Sequence, residues 1–319
     1  MATTVTTQSN FSDLVHNLIV IEVQDRLRAT LPWATPGTYD EFVHTKGANS
    51  TFVKGTYADI VQNLATDKLS EGVAPTPVAL AIDKTTFQGF QYGKVEQISD
   101  LADFTSPHQL AQVSAEKLGR WIAETINQVA YTALMSSGNI IYTGTTATAN
   151  AGVSATLNAK DFARAVGRLK MANVQPFADG AYRAILSPRQ VYDLRMEMGE
   201  QSFSNAIRYT DASHLLAGGI GLFNGAEVIE SSVIQTANTA GVAGVDVISA
   251  CIYGVGALGL GDVGTVQTFL VNSPDSAQPL NQNIYVGAKL WVGAGYLNAA
   301  GDKAIVLNSA GSILAAGQH

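Results

Sequence analysis

The stretch of residues 33–100 restricts the fold more than any other part of the sequence, because it is long and has no core of its own. It contains two short alternating runs, residues 51–54 and 78–84, which are typical of strands with one half-buried face. Glycines and prolines punctuate the remainder. The pattern predicts a long two-stranded ribbon with its turn near residues 70–72. An isolated pair of strands is marginally stable in water, so this ribbon needs a partner surface.

The composition also indicates a partner. Charged residues make up 14% of the sequence, against about 25% in ordinary soluble proteins. No apolar run reaches the roughly 18 residues that a membrane helix needs. Because charge is depleted at the cores of protein interfaces, we infer that much of the surface faces other protein. The alternative is a large monomeric β domain with a surface rich in serine, threonine and asparagine.

The N-terminus and the cysteine content indicate the cellular compartment in which the chain folds. The first residues contain neither a basic nor an apolar segment, so they do not resemble a signal peptide, and the single cysteine, Cys251, cannot form an internal disulfide. We therefore expect folding in a reducing cytoplasm. The net charge of −7 suits a chain that lines a DNA-filled space, but does not favour nucleic-acid binding by counterion release. A neighbouring subunit is expected to hold the polar leader, residues 3–10.

Helical periodicity predicts four helices. An arm helix within residues 10–31 is followed by a long helix that Ser106 opens and Gly138 ends, with a length of about 45 Å. Asn158 is expected to cap the next helix, with Asp161 in a box-like position, and a further helix begins at Ser187.

The predicted strands do not alternate regularly with these helices. They comprise residues 182–186, 226–230 and 245–253, and two long runs between residues 284 and 307 around a turn at 298–302. The class is therefore α+β, without the alternation of a doubly wound sheet.

No constellation in the sequence is typical of catalysis, of a metal site or of a cofactor. Residues 254–259 match a dinucleotide fingerprint, but the glycines that follow do not favour the helix which that motif requires. The five histidines are scattered, and Cys251 lies in an apolar strand. Four cations of the helix after Asn158 are interpreted as a solvated face rather than a nucleic-acid patch, because no aromatic residue lies among them: Lys160, Arg164, Arg168 and Lys170.

The order of these parts resembles the major capsid proteins of tailed bacteriophages, which have the Hong Kong-type shell fold. The resemblance rests on residues 158–230, where a capped helix, the strand 184–186, the Ser187-Pro188-Arg189 segment and a glycine-rich stretch lead to the strand 226–231. It implies an N-terminal arm and helix at 1–32, an extended loop at 33–100 and a peripheral domain with a spine helix at 101–157. An axial domain follows at 158–271, and C-terminal strands at 272–319 return to the peripheral domain.

The resemblance implies a structural protein, not an enzyme, that forms hexamers and pentamers of an icosahedral shell around double-stranded DNA. Its expected partners are other copies of itself, neighbouring capsomers reached through the arm and loop, a portal, scaffolding or cement proteins, and DNA without sequence specificity; no membrane and no cofactor are expected. The protein is expected in the virion after assembly in the host cytoplasm. The interface candidates are Val5, Phe11, Phe52, Lys54, Lys68, Leu80, Ile82, Lys84, Gly218, Gly219 and Gly221.

Some details of the family and two other functions are left open. Some members crosslink a loop lysine to an asparagine, but no matching asparagine is identified for Lys54, Lys68 or Lys84. A cleaved scaffolding region before the arm is not expected, because the arm begins almost at Met1. An encapsulin-like nanocompartment shell is the alternative within this fold. A secreted β-rich adhesin or sugar-acting enzyme is the alternative from another class.

Overall fold

The computed structural model describes residues 16–22, 33, 37–43, 51–57, 63, 65, 67–69, 71–72, 77, 79–80, 82–106, 110–145, 147–152, 154–196, 221–232, 234, 236–237, 240–262, 266–272, 280, 282–298 and 302–310. The described helices are α1 (16–22), α2 (Asp100–Thr105), α3 (Leu110–Met135), α4 (Ala159–Met171) and α5 (Pro188–Met196). The described strands are β1 (Asp40–Val43), β2 (Thr51–Tyr57), β3 (Ile82–Gln88), β4 (Phe90–Ser99), β5 (Ile140–Tyr142), β6 (Tyr182–Leu186), β7 (Leu222–Phe223), β8 (Ala226–Glu230), β9 (Thr236–Ala237), β10 (Val247–Tyr253), β11 (Leu258–Asp262), β12 (Gln267–Val271), β13 (Asn283–Tyr296) and β14 (Ala304–Ala310). The predicted α+β class is confirmed.

Sheet I consists of β1, β4, β11, β12 and β13 and is built around β13. One edge of β13 pairs with β4, and successive parts of its other edge pair with β12 and β11. Alternate side chains of β13 form the buried face of this sheet, and they pack against α3 and Ile19 of α1: Val286, Ala288, Leu290 and Val292. This alternation has the period of 2 that a strand with one buried face requires.

Sheet II has the strand order β5-β14-β10-β6-β8-β7, with β9 also paired to β10. Ala184 and Ile252 on one of its faces belong to the same hydrophobic cluster as the buried side chains of α4 and α5. Ile185 and Tyr253 on the other face pack with Trp33 and the C-terminal part of α3. Both faces are covered, which explains why β10 and β14 are buried along nearly their whole length.

Helix α3 joins the two sheets. It has 26 residues and a length of about 39 Å. Its first half, around Leu118 and Ile122, packs on sheet I, and its second half, around Tyr131 and Leu134, packs on sheet II. The backbone N–H of Trp33 donates a hydrogen bond of 2.8 Å to the buried side-chain oxygen of Asn127. The predicted long helix is thus present; the structure describes it from Leu110 to Met135, and residues 107–109, between Ser106 and this helix, lie outside the described residues.

Strands β2 and β3 form a two-stranded ribbon within the predicted stretch. They pair in antiparallel register from Thr51 opposite Gln88 to Tyr57 opposite Ile82. The described pairing covers residues 51–57 and 82–88 of the expected loop 33–100, whereas β1 and β4 belong to sheet I. Strand β4 pairs with β13 along its whole length and so gains the partner that a two-stranded ribbon lacks.

Each sheet takes strands from separate parts of the chain. Strands β11 and β12, within the expected axial segment 158–271, pair with β13 in sheet I. Strand β14, expected with β13 in the peripheral domain, pairs with β10 in sheet II. The two C-terminal runs are therefore strands, as predicted, but they lie in different sheets: β14 is hydrogen-bonded along both edges, to β10 and β5, and is buried along its whole length.

Candidate assembly surfaces

Three phenylalanines attach the base of the ribbon to sheet I. Phe52 on β2 and Phe87 on β3 are cross-strand partners whose rings stack with centroids 5.0 Å apart. Phe42 on β1 meets Phe87 edge-on at 5.3 Å, and Leu297 completes the cluster. Aromatic pairs of this kind contribute about 0.5–1.5 kcal/mol beyond the burial of their area. The base of the ribbon is therefore held by its own subunit.

Glycines in β11 and β13 make room for these rings. A Cβ atom at Gly261 would lie 2.4 Å from Cε2 of Phe52, and one at Gly295 would lie 2.5 Å from Cβ of Phe87. Both distances are shorter than any that side chains tolerate. The glycines thus form a surface on sheet I against which the ribbon packs, and a side chain at either position would displace a ring.

The glycines of residues 254–259, which match the dinucleotide fingerprint, also have a structural role, because their positions leave no room for a side chain or require a positive φ. A Cβ at Gly254 would lie 2.5 Å from Cγ1 of Val174, and Gly256 has a φ of +71°, which favours glycine. The strand β11 follows, so the expectation that no helix begins here is confirmed. Without a helix N-terminus, these glycines lack the feature that binds a pyrophosphate.

An ion pair adds to the attachment of the ribbon. The ammonium group of Lys54 on β2 pairs with the carboxylate of Asp40 on β1. The ammonium group of Lys303 lies near this ion pair. A Cβ atom built on Gly256 would be 3.1 Å from Lys303 Nζ, 3.9 Å from Asp40 Oδ2 and 3.9 Å from Lys54 Nζ. A second ammonium group, that of Lys303, thus lies near the Lys54–Asp40 ion pair where the ribbon meets sheet I.

Beyond the phenylalanines, the ribbon and the segment that joins its strands expose apolar side chains. Leu80 is 68% exposed and Ile82 is 53% exposed, and Val53 and Leu69 are also exposed. Lys68 and Lys84 are exposed among them. Side chains of this size are normally buried, so this part of the ribbon has the composition of a contact surface.

A second exposed apolar cluster lies at the end of sheet I. Helix α2 has no buried residue; Phe104 on it is 90% exposed, and Leu101 is also exposed. The backbone of Asp100, at the start of α2, donates to the carbonyl of Gln282, near the exposed Leu280. The sequence analysis missed this helix, although Ser99 is a good N-cap signal and its side chain accepts from the backbone N–H of Ala102.

A groove of about 770 Å³ lies between α3 and the strands β4 and β13. Phe90, Trp121 and Val129 give it apolar walls, and Glu124 contributes a carboxylate. Phe90 is exposed. The groove can therefore receive an apolar segment that carries a cation.

Helix α1 crosses α3 at a glycine. A Cβ at Gly119 would lie 2.7 Å from Cβ of Glu22 and 2.9 Å from the carbonyl oxygen of Ile19. The side chain of Ile19 is fully buried, and Glu22 forms an ion pair with Arg120 at 3.8 Å. The absence of a side chain at Gly119 lets the backbones of the two helices approach closely.

Comparisons with known proteins agree with this geometry. The sequence model of the phage capsid protein family matches residues 83–301, which is more than half of the chain. The chain belongs to the phage capsid protein family. No curated protein matches the capsid protein in sequence.

Solved phage capsids share the fold of the capsid protein. The cyanophage Pam1 capsid asymmetric unit superposes with a TM-score of 0.66 at 17% identity, covering 84% of this chain and 86% of that chain. The capsid of Ralstonia phage GP4 has a TM-score of 0.66 at 13% identity, with coverages of 86% and 87%. The capsid of cyanophage P-SCSP1u has a TM-score of 0.64 at 14% identity, with coverages of 85% and 86%.

These findings establish the role of the capsid protein as structural. It is a major capsid protein with the Hong Kong-type shell fold, and its family and fold are those of a non-enzymatic protein. The secreted adhesin or sugar-acting enzyme and the nanocompartment shell are not favoured.

The candidate interface residues have different environments in the capsid protein. Phe52 is 5% exposed, and both it and Lys54 are engaged within their own chain. Leu80 and Ile82 on the ribbon are exposed, as are Lys68 and Lys84. Val5, Phe11, Gly218 and Gly219 lie outside the described residues, as does the polar leader.

The third candidate glycine, Gly221, lacks the expected conformational reason. We expected the glycine-rich segment to need special backbone angles or close approaches. Gly221 has neither a positive φ nor any atom within 4 Å of a built Cβ. At this position the backbone does not require glycine.

The described part of the capsid protein carries no group of three or more histidine, cysteine or acidic residues that could hold a metal ion. Of the five histidines, His16 is within the described ranges, and its ring lies 3.2 Å from the hydroxyl of Thr268. Among the helices described, none combines the length and apolar character needed to cross a membrane.

Cys251 is expected to be chemically inert in the folded capsid protein. It is fully buried in β10, and burial raises the pKa of its thiol, so little thiolate forms. Labelling with a maleimide should be slower than in the unfolded chain by on the order of a thousandfold, because it requires opening of sheet II. As a control, a cysteine introduced by Leu80→Cys should react at once. Equal labelling rates for the two thiols would contradict the buried placement.

Proposed function

We propose that the capsid protein self-assembles into hexamers and pentamers of an icosahedral shell that encloses double-stranded DNA. The observation that carries this proposal is a ribbon whose base is fixed to its own subunit while Leu80 and Ile82 farther along it are exposed. When a second copy covers these apolar side chains, water is released from them and the free energy of the two subunits falls. The charge content of 14% supports the same conclusion, since a surface that faces other subunits needs few charges.

The receiving surface proposed for the ribbon is the groove between α3 and sheet I of an adjacent copy. The groove has apolar walls formed by Trp121, Val129 and Phe90. Its carboxylate, Glu124, is opposite in charge to Lys84 on the ribbon. Apolar burial would supply most of the affinity, and the charge pair would help to set the register.

The apolar cluster of Leu101, Phe104 and Leu280 is proposed as a second contact between copies. Its position at the end of sheet I, away from the ribbon base, allows a subunit to bind different neighbours through the two surfaces. A closed shell requires contacts of this kind, because each subunit must bind partners within its capsomer and between capsomers.

The remaining elements of the proposal follow from the family. Val5 and Phe11 of the arm would contact a neighbouring subunit, and Gly218, Gly219 and Gly221 would lie near the capsomer centre. A portal and scaffolding or cement proteins would complete the particle, and the protein would be part of the virion after assembly in the host cytoplasm. Contact with the packaged DNA would not depend on sequence.

Replacement of Ile82 with aspartate tests the proposal. The side chain is exposed in the isolated subunit, so the subunit should keep its melting temperature within about 2 °C, as expected for an exposed substitution. Shells should be lost, because an unpaired carboxylate would be buried at the subunit contact. Negative-stain microscopy of purified wild-type and variant protein measures the yield of hollow particles of uniform size.

The matched control is Ile82→Val, which keeps an apolar, β-branched side chain at the same position and should assemble normally. Normal shells from the aspartate variant would refute the role of the ribbon. Absence of shells from wild-type protein under all assembly conditions would count against the proposed function itself.

A further inference from the structure

Helices α4 and α5 form the outer layer on one face of sheet II. Helix α4 buries Phe162, Val166 and Leu169 against the sheet, and α5 buries Val191 and Leu194 in the same hydrophobic cluster. Their other sides therefore point away from the sheet.

That outward side is basic in an acidic protein. The two helices carry six cationic side chains and two carboxylates, whereas the whole chain has a net charge of −7. The cations are Lys160, Arg164, Arg168 and Lys170 on α4 and Arg189 and Arg195 on α5, and of these Arg189 forms an ion pair with Asp246 at 3.9 Å. Both carboxylates are engaged elsewhere: Asp161 is held at the N-cap by Asn158, and Asp193 is buried.

The four cations of α4 have no carboxylate within ion-pair distance among the described residues, whereas Arg183 in sheet II forms ion pairs with both Asp179 and Glu227. Lys160, Arg164 and Lys170 are exposed, and Arg168 is half-buried. We call these four residues the α4 basic face. Their charges are thus available to an external anion.

The spacing of three of these cations gives a continuous line of positive charge. Lys160, Arg164 and Arg168 follow each other at intervals of four residues, so they lie on one side of the helix at steps of about 6 Å. The line is about 12 Å long, which corresponds to three or four phosphates of one DNA strand at about 3.4 Å of helix axis each.

The α4 basic face differs from the surfaces proposed for contact between copies. Those surfaces expose leucine, isoleucine and phenylalanine, whereas the line from Lys160 to Arg168 contains no large apolar side chain. The cores of protein interfaces are depleted of charge, while contacts to a phosphate backbone are made mainly by arginine and lysine. Tyr192, which is exposed on α5, can add a hydroxyl donor to a phosphate.

We propose that the α4 basic face is the DNA-contacting surface of the subunit and binds the phosphate backbone of double-stranded DNA without sequence specificity. This inference rests on the proposed function, because it takes the enclosed polymer to be double-stranded DNA. It assigns the contact to one face of sheet II, so that this face points into the shell. The solvated face inferred from the sequence is then a surface for packaged DNA.

The test uses dissociated full-length subunits and a short fluorescent duplex of mixed sequence, with binding followed by anisotropy. Three phosphate contacts predict a slope of about −2.7 in a plot of log K against log salt. The affinity should therefore fall about fortyfold between about 50 and 200 mM salt. The variant Arg164→Glu/Arg168→Glu should lower the affinity at least about tenfold at low salt and reduce the slope by about 2.

The matched control is Lys94→Glu/Lys117→Glu, which changes the net charge by the same amount at exposed lysines of β4 and α3. It should leave DNA binding within about twofold of wild type, since both lysines lie on sheet I and its helix, away from the α4 basic face. Equal loss in both variants would overturn the proposal, because net charge alone would then govern binding. Unchanged DNA binding in the arginine variant, with loss of shells in negative stain, would also overturn it and would assign the face to an acidic protein segment. Failure of wild-type protein to form shells in negative stain would contradict the proposed function. That result is independent of the anisotropy measurement, which tests the DNA contact alone.

Discussion

The substitution Gly261→Ala is expected to destabilise the capsid protein by about 1–3 kcal/mol, although it adds a single methyl group. The new Cβ would lie 2.4 Å from Cε2 of Phe52, and the ring cannot simply rotate away, because it is stacked on Phe87. The clash between the new Cβ and the Phe52 ring can be removed only if the base of the ribbon moves away from sheet I. In a position without such contacts, the same substitution in a strand would stabilise by about 0.5–1 kcal/mol.

A double-mutant cycle isolates the cause. Phe52→Ala alone should cost about 3–5 kcal/mol, because it removes a buried aromatic ring from the cluster with Phe42 and Phe87. In that background Gly261→Ala should cost nothing further, so the coupling between the two substitutions should be about 1–3 kcal/mol in magnitude. Urea unfolding of dissociated subunits measures all four proteins.

The control for this cycle is Gly55→Ala within the ribbon itself. A Cβ there would meet its nearest neighbour, Cγ2 of Ile82, at an ordinary contact distance of 3.8 Å. This variant should be neutral or more stable than wild type. Additive effects of Gly261→Ala and Phe52→Ala would show that the glycine surface does not hold the ribbon.

The second large effect is expected where α1 crosses α3. Alanine is a better helix former than glycine by about 1 kcal/mol, so propensity alone predicts that Gly119→Ala stabilises α3. The structure predicts the opposite sign, because the added Cβ would lie 2.7 Å from Cβ of Glu22 and 2.9 Å from the carbonyl oxygen of Ile19. We expect a loss of about 2 kcal/mol as α1 is displaced and Ile19 loses part of its burial.

Gly167→Ala in α4 is the matched control for Gly119→Ala. Gly167 also lies inside a helix, and a Cβ built on it has no atom within 4 Å. It should stabilise the subunit by about 0.5–1 kcal/mol. Opposite signs for the two substitutions in thermal unfolding support the close crossing of α1 and α3. Stabilisation by both would mean that α1 does not pack on Gly119.

Elements with strong local signals were predictable from the sequence. Strand β6 lies at the predicted residues 182–186, and Asn158 caps α4 as expected, accepting from the backbone N–H of Asp161 at 2.8 Å. The long helix α3 was predicted from its apolar face. These signals depend on neighbours within one or two turns of the chain, so they are visible without the fold.

Sheet membership was not predictable in the same way. The C-terminal runs were predicted as strands, and β13 and β14 are strands, yet they belong to different sheets. Strand β4 was not separated from the ribbon, although it pairs with β13. An alternating pattern indicates that a strand has one buried face, but it does not indicate which distant segment pairs with the edge of that strand.

The sequence by itself determined that this is an α+β chain with paired short strands in residues 33–100, a long helix and a charge content of 14%, below that of ordinary soluble proteins. Only the tertiary structure decided which residues of the ribbon are exposed to solvent. Phe52 was an interface candidate, but it is buried on Gly261, whereas Leu80 and Ile82 are exposed. The reason is physical: alternation assigns residues to faces, but whether a face is covered depends on long-range packing. The glycines of β11 and β13 reveal this role only when the phenylalanine rings lie over them.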